Sequence, residues 1–308
     1  MIYTCTLNPS LDYYLEFDKP CKLKITNRSN LEYYEAGGKG INVSIVLNNL
    51  MVPTRALGFL GGFTSDFYLS LLQRYEYLQP SFTTIEGHTR INIKIKDSQE
   101  TEYNAKGPVI SYQNFQSLMK KIERIDEGDI FILSGSIPES ILEYVEEIIK
   151  TLKENNVPFV LDTNPTITSQ LLKYQPLLIK PNIKELEELV QHVVVDQAEI
   201  VKYAKMLVEE GAINVIVSLG EEGSIMVNQN GAYYSNTIHN EVISSTGAGD
   251  SMVAGFVFSL NRGANVVDAF KYANCCGLAT TFSKGLATRE KIEQYFNLIE
   301  IEKIEDIQ

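Results

Sequence analysis

Near the end of the chain, small residues lead into an apolar run: Ser244-Ser245-Thr246-Gly247-Ala248-Gly249-Asp250-Ser251, then Met252-Val253-Ala254-Gly255. The pattern predicts a helix that starts inside the small residues. The first N–H groups of a helix lack partners within it and sit at the positive end of its dipole, so such a start can hold an anion. Asp250 falls in that first turn, where its charge would repel a phosphate. It fits if its carboxylate takes the proton of a hydroxyl while the N–H groups hold the phosphoryl group that the hydroxyl attacks. An ordinary helix with an acidic first turn accounts for the same residues without chemistry. A dinucleotide fingerprint does not fit, because Met252 stands where the third glycine belongs.

A second glycine cluster, Gly37-Gly38-Lys39-Gly40-Ile41-Asn42, precedes an apolar helical stretch from Val43 to Leu50. It is not a Walker loop, since Gly40 follows Lys39 where Ser or Thr belongs. Three glycines let the backbone approach a ligand closely. A lysine at a helix start opposes the dipole unless an anion lies near. A tight turn with a solvated lysine is the plain alternative.

Such groups must be positioned by regular elements. Short β-branched runs at Ile2–Leu7, Asp129–Leu133, Val157–Leu161, Leu177–Ile179 and Ile213–Leu219 read as strands. Longer stretches with helical spacing, Ser140–Asn155, Asp196–Glu210 and Asn265–Phe282, lie between or after them. This alternation predicts an α/β fold, a mostly parallel sheet with helices on both faces, whose ligands bind past the carboxyl ends of the strands. The residues that follow the strands are Asn8 and Asp12; Ser134, Gly135 and Ser136; Asp162, Thr163 and Asn164; Lys180, Asn182 and Glu185; and Ser218, Gly220 and Gly223. Taken singly, each is a turn or cap residue. Their convergence on one sheet edge is the informative part.

Two segments break the alternation. Leu11–Ala36 and Thr89–Gly107 alternate apolar and polar residues, as strands with one solvated face do. They predict a small inserted sheet that covers the cleft as a lid within a single domain spanning 1–308. Its Tyr13, Leu15, Phe17 and Tyr33 need a face to cover, which predicts a homodimer through these strands. With 39 acidic and 27 basic residues the net charge is −12, which disfavours nucleic acid and anionic membrane surfaces. No apolar run reaches the roughly 18 residues of a membrane helix, and the first residues lack a basic signal-peptide region. Cys5, Cys21, Cys275 and Cys276 form no CxxC and His88, His192 and His239 are scattered. Buried thiols in a reducing cytoplasm are the expectation.

On these residues the chain resembles the ribokinase-type (PfkB) carbohydrate kinases over nearly its whole length. GGKGIN at 37–42 and STGAGDSMVAG at 245–255 resemble the family signatures, and KPNIKEL at 180–186 contains its N-x-x-E pattern. TLNPSLD at 6–12, TRINIKI at 89–95, TEYNAKGP at 101–108, SGSIP at 134–138 and LATRE at 286–290 resemble the phosphofructokinase and tagatose-phosphate kinase branch. The resemblance implies a ribokinase-like three-layer α/β/α domain with a β-sheet lid. It implies transfer from ATP, with Mg²⁺, to a ketohexose phosphate: fructose 1-phosphate giving fructose 1,6-bisphosphate, or alternatively tagatose 6-phosphate giving tagatose 1,6-bisphosphate. Asp250 would be the base, with Gly247, Ala248 and Gly249 as the anion hole. Asp12, Gly38, Lys39, Asn42 and Ser136 would hold the sugar, with Lys39 and Arg90 near its phosphate. Lys180, Ser218, Gly220, Gly223 and Gly249 would line the nucleotide, with Asn274 at the adenine. Asn182 and Glu185 would organise Mg²⁺ and its waters.

Overall fold

The computed structural model describes residues 1–305. Among them the strands run β1 (Ile2–Thr6), β2 (Ser10–Glu16), β3 (Leu31–Gly37), β4 (Thr54–Gly61), β5 (Leu78–Pro80), β6 (Thr83–Ile85), β7 (Arg90–Lys96) and β8 (Glu100–Tyr103). They continue with β9 (Ile130–Ser134), β10 (Phe159–Asp162), β11 (Leu178–Ile179), β12 (Asn214–Ser218), β13 (Ser224–Asn228), β14 (Gly231–Ser235) and β15 (Ile301–Ile304). The large sheet is ordered β15-β14-β13-β12-β11-β10-β9-β1-β4-β5, with β6 beside β4. From β12 to β5 neighbouring strands are parallel; β13, β14 and β15 close the far edge antiparallel.

Both faces of this sheet are buried, as a parallel sheet requires. Along β9, Ile130 and Ile132 join the cluster formed with the helices Ala248–Asn261 and Val266–Thr281. Phe131 and Leu133, pointing the other way, join the cluster formed with the helices Tyr112–Ile122 and Val145–Glu154. Each large side chain fully buried this way contributes about 1.5–3 kcal/mol. The stretch predicted as one helix over 140–155 starts instead as a 3₁₀ turn, Glu139–Tyr144, and becomes α-helical at Val145. The strand β4 went unread in the sequence because Gly58 interrupts its apolar run. At φ 145°, Gly58 lies so close to β1 that a Cβ would overlap the Thr6 carbonyl.

The smaller sheet is ordered β3-β2-β7-β8, from the two segments that alternate in sequence. β2 and β7 are parallel with Ser10, Asp12 and Tyr14 opposite Arg90, Asn92 and Lys94. The two-residue period puts these six on one face and Leu11, Tyr13, Ile91 and Ile93 on the other. Tyr13 stacks on Tyr34 across the outer face, with ring centroids 4.4 Å apart. Tyr33, expected on that apolar face, stacks instead on Tyr14 on the inner face. No helix of the described residues is long and apolar enough to cross a membrane.

Candidate active site

Two helix starts meet at the carboxyl edge of the large sheet. The helix Ala248–Asn261 begins after Gly247, which has φ 79°, and no side chain caps it. A Cβ at Gly247 would strike Leu286, and the left-handed backbone favours glycine in any case. Asp250, third in the helix, is buried. The helix Lys39–Asn49 presents Asn42, whose Nδ2 donates to Asp250 Oδ2 at 2.7 Å. Burial, and then the Asp162 charge, push the Asp250 carboxyl up; Asn42, Lys39 and Lys180 oppose this without cancelling it. A carboxylate with a raised affinity for protons, at a helix start whose N–H groups no side chain caps, is what proton removal from an attacking hydroxyl requires.

Lys39 binds Asp162, at the end of β10, with Nζ 3.0 Å from Oδ1. Burial favours the neutral form of Asp162, but the charges of Lys39 and Lys180 outweigh it and hold this carboxyl low. The structure therefore places Lys39 between two carboxylates of the cleft floor, whereas the sequence reading set it beside Arg90 at a phosphate. Asp162 Oδ2 is buried with no hydrogen-bond partner in the protein, as are Thr6 Oγ1, Asn8 Oδ1 and Ser134 Oγ at neighbouring strand ends. Asp162 stood out in the sequence merely as a strand-end residue, because its pairing with Lys39 spans 123 positions.

Above the floor, Asp12 Oδ1 accepts from Ser10 Oγ at 2.6 Å and from Asn92 Nδ2 at 2.9 Å. Its carboxylate lies where a Cβ of Gly37 would be, so the glycine cluster admits it. Arg90 is fixed by backbone carbonyls: Nε and Nη2 donate to Asn8 O at 3.2 and 3.0 Å, and Nη1 to Ala105 O at 2.9 Å. Ser136 Oγ lies 3.5 Å from Arg90 Nη2. Gly38 and Lys39 line the same cavity.

At the other end, Lys180 is packed against Gly249, where a Cβ would crowd its Nζ at 2.7 Å. Asn182 and Glu185 form a reciprocal capping box, each side chain accepting from the other's backbone N–H at 2.9 Å. Ser218, Gly220 and Gly223 line the cavity nearby. Asn274 also lines it, but its polar atoms are engaged inside the protein. Its Oδ1 accepts from Ser224 Oγ at 2.6 Å, and its Nδ2 donates to Phe270 O at 2.8 Å. One cavity of about 1090 Å³ thus joins every residue to which the family resemblance assigned a role, whereas the strand-end residues Ser134, Thr163 and Asn164 do not line it. It also contains residues the sequence reading missed: Asn92, Lys94, Glu102 and Asn104 on the small sheet, and apolar Ile238, Val242, Leu278 and Phe282 beside Asn274. The two-residue period from Arg90 could have found Asn92 and Lys94. The apolar group comes from two separate segments and carries no local signal.

The chain matches the family model described as pfkB family carbohydrate kinase over residues 14–292. It is 38% identical to the 1-phosphofructokinase of Bacillus subtilis, over 99% of this chain and 100% of that one. It is 34% identical to the D-tagatose-1-phosphate kinase of Bacillus licheniformis, over 98% and 99%. That name sets the phosphate at position 1 of tagatose, where the sequence reading expected position 6. Among solved structures, phosphofructokinase-2 from Escherichia coli in complex with substrates and products superposes with a TM-score of 0.92 at 26% identity, covering 96% of this chain and 98% of that one.

Proposed function

The chain belongs to the pfkB family of carbohydrate kinases and is a sugar phosphotransferase with ATP as co-substrate, and from that premise we propose that its acceptor is fructose 1-phosphate, converted to fructose 1,6-bisphosphate. Two relatives named 1-phosphofructokinase match at 38% and 37% identity, each over 99% of this chain. The observation that carries the reading is the continuity of one cavity from the uncapped helix start at Gly247 to the cationic inner face of the small sheet. A protein of net charge −12 must offset its own field locally to hold a dianionic sugar phosphate.

Asp250 accepts the proton of the attacking sugar hydroxyl, with Asn42 orienting its carboxylate. The N–H groups of Gly247, Ala248 and Gly249, with Lys180, stabilise the charge that develops on the transferring phosphoryl oxygens. Lys39, paired with Asp162, keeps positive charge beside the base. Asp12, Gly38, Asn42 and Ser136 hold the sugar, with Arg90 toward its phosphate, and the small sheet serves as a lid that excludes water. Asn182, Ser218, Gly220 and Gly223 line the nucleotide, with Asn274 behind the adenine. Glu185 and the unpartnered Asp162 Oδ2 fit a hydrated Mg²⁺, which when bound would neutralise charge on the ATP phosphates. The buried free thiols of Cys5, Cys275 and Cys276 accord with a reducing cytoplasm.

Initial rates with ATP and Mg²⁺ test the reading. The expected order of kcat/KM places fructose 1-phosphate first, ahead of tagatose 1-phosphate, tagatose 6-phosphate and fructose 6-phosphate. Tagatose 1-phosphate is the second reading, supported by the Bacillus licheniformis relative. Fructose 6-phosphate as the best acceptor would overturn both.

The outer face of the lid supports pairing of two chains. Tyr34, Ile91, Ile93 and Tyr103 are exposed there, beside Phe67, which meets Tyr34 edge-on at 5.3 Å. A contiguous apolar patch of this kind is what a subunit interface buries. Light scattering is expected to give twice the chain mass, falling to the chain mass in Tyr34→Asp. A wild-type chain that stays monomeric at micromolar concentration would rule the pairing out.

A further inference from the structure

Four lysine and arginine side chains line the cavity: Lys39, Arg90, Lys94 and Lys180. Lys39 pairs with the buried Asp162, Lys180 lies beside the Gly249 turn and acts on Asp162 and Asp250, and Arg90 gives three N–H groups to backbone carbonyls. Lys94 differs in having an ion-pair partner open to solvent. It lies four residues beyond Arg90 on the same face of β7, about 13 Å along the strand. Its side chain is 8% exposed, and its ion-pair partner is Glu102, directly opposite on β8.

The burial of this pair is lopsided. Glu102 is 36% exposed, on a short edge strand whose four residues are all solvent-facing. It can turn to water without breaking the sheet. Lys94 cannot, because its ammonium is enclosed between the sheet and the cavity. A cross-strand ion pair of this kind contributes less than it costs to desolvate an ammonium. An apolar residue at position 94 would therefore suit the sheet at least as well. The position of Lys94 makes sense if the ammonium serves a ligand in the cavity. Burial raises the Asp12 carboxyl's affinity for protons and Lys94 opposes this, so Lys94 shares a field with the group assigned to the sugar hydroxyls.

We propose that Lys94 is a second cation that, with Arg90, reads the phosphate already present on the sugar, and that Glu102 is its exchangeable counterion, released to solvent as the phosphate takes its place. The inference rests on the sugar-phosphate reading above and names the residue that would set that specificity. Glu102 then has a defined cost: a carboxylate held beside Lys94 competes with the incoming dianion. Removing the lysine and removing the glutamate should therefore change affinity in opposite directions, which no purely structural role for the pair predicts.

The experiment compares wild type, Lys94→Met, Lys94→Arg and Glu102→Gln, with thermal melts to verify folding. Steady-state rates are taken on fructose 1-phosphate and on fructose, at saturating ATP. Lys94→Met is expected to raise KM for the sugar phosphate about 10–100-fold, the worth of one charge-assisted bond to phosphate. The preference for fructose 1-phosphate over fructose should shrink by a similar factor, and KM for ATP should stay within about twofold. Lys94→Arg should retain most of the affinity, and Glu102→Gln should lower KM for the sugar phosphate. The proposal falls if Lys94→Met leaves that KM unmoved, or if Glu102→Gln raises it alongside Lys94→Met with matching losses in melting temperature. Wild-type turnover is measured first. Its absence on every sugar phosphate overturns the underlying reading, whereas normal wild-type turnover with an unmoved Lys94→Met overturns this inference alone.

Discussion

On the floor of the cleft, Asp250 and Asp162 are buried at strand and helix ends, joined to Asn42 and Lys39 by bonds of 2.7 and 3.0 Å. On the sheet above, Arg90, Asn92, Lys94 and Glu102 reach the same cavity from strands whose other face is open to solvent. The floor rests on both hydrophobic clusters of the large sheet. The upper sheet has the stacked tyrosine pairs, Tyr13 with Tyr34 and Tyr14 with Tyr33, in place of a core of its own. Under the proposed function this difference divides the labour. Phosphoryl transfer needs groups fixed to fractions of an ångström around the reacting atoms. Choosing an acceptor needs charge at the right distance from them, on an element that can rise to admit the sugar. Changes on the floor should therefore lower kcat, and changes on the upper sheet should raise KM for the sugar.

Asp250→Asn breaks the floor and should produce the largest effect. The amide keeps the shape and can still accept the bond from Asn42, but it cannot take a proton. The expected loss in kcat is about 10²–10⁴-fold, with ATP affinity within about twofold when measured by equilibrium binding. A variant that keeps kcat within a few-fold of wild type would remove Asp250 from the chemistry and erase the contrast with the lid.

The contrast also decides what the sequence made legible. On the floor, the small-residue run at 244–251 and the glycines at 37–40 carry their own signal, because a helix start that holds an anion leaves a compact local pattern. The strands β1, β9, β10, β11 and β12 were readable for a similar reason: buried on both faces, they are short continuous apolar runs. Pairings between distant segments were not readable. Lys39 with Asp162 and Ser224 with Asn274 depend on strand order, which no local spacing encodes. The antiparallel edge of β13, β14 and β15 escaped notice too, since β15 comes from the last residues of the described chain and pairs across 72 positions, Ala232 with Ile304. In the small sheet the alternation revealed two faces, but not which face looks into the cleft. That depends on the β2–β7 register, which is also what places Lys94 beside the site.

The smallest expected effect separates the two regions by pH. Burial and the Asp162 charge raise the Asp250 carboxyl from 3.8 to about 6, against Asn42, Lys39 and Lys180. The folded protein thus binds this proton more tightly than the unfolded chain does. The resulting stabilisation is full below about pH 3.8, declines as pH rises, and is gone above about pH 6. Asp250→Asn carries a permanently neutral group there. It should melt higher than wild type at pH 7 to 8, and the gap should narrow as pH falls toward 5. The charges on Asp162, Lys39 and Lys180 remain in both proteins, so comparing the pair isolates the Asp250 contribution. Activity should move the other way, because the base must be ionised: wild-type kcat should rise about tenfold per pH unit below 6 and level off above it. The exposed side of the lid gives no reason for a transition in this range, so the change should appear in kcat with KM for the sugar phosphate following only the sugar's own phosphate ionisation. A melting gap that is constant from pH 5 to 8 would mean that Asp250 is not held in the strained, proton-seeking state that buried carboxylates on this floor imply.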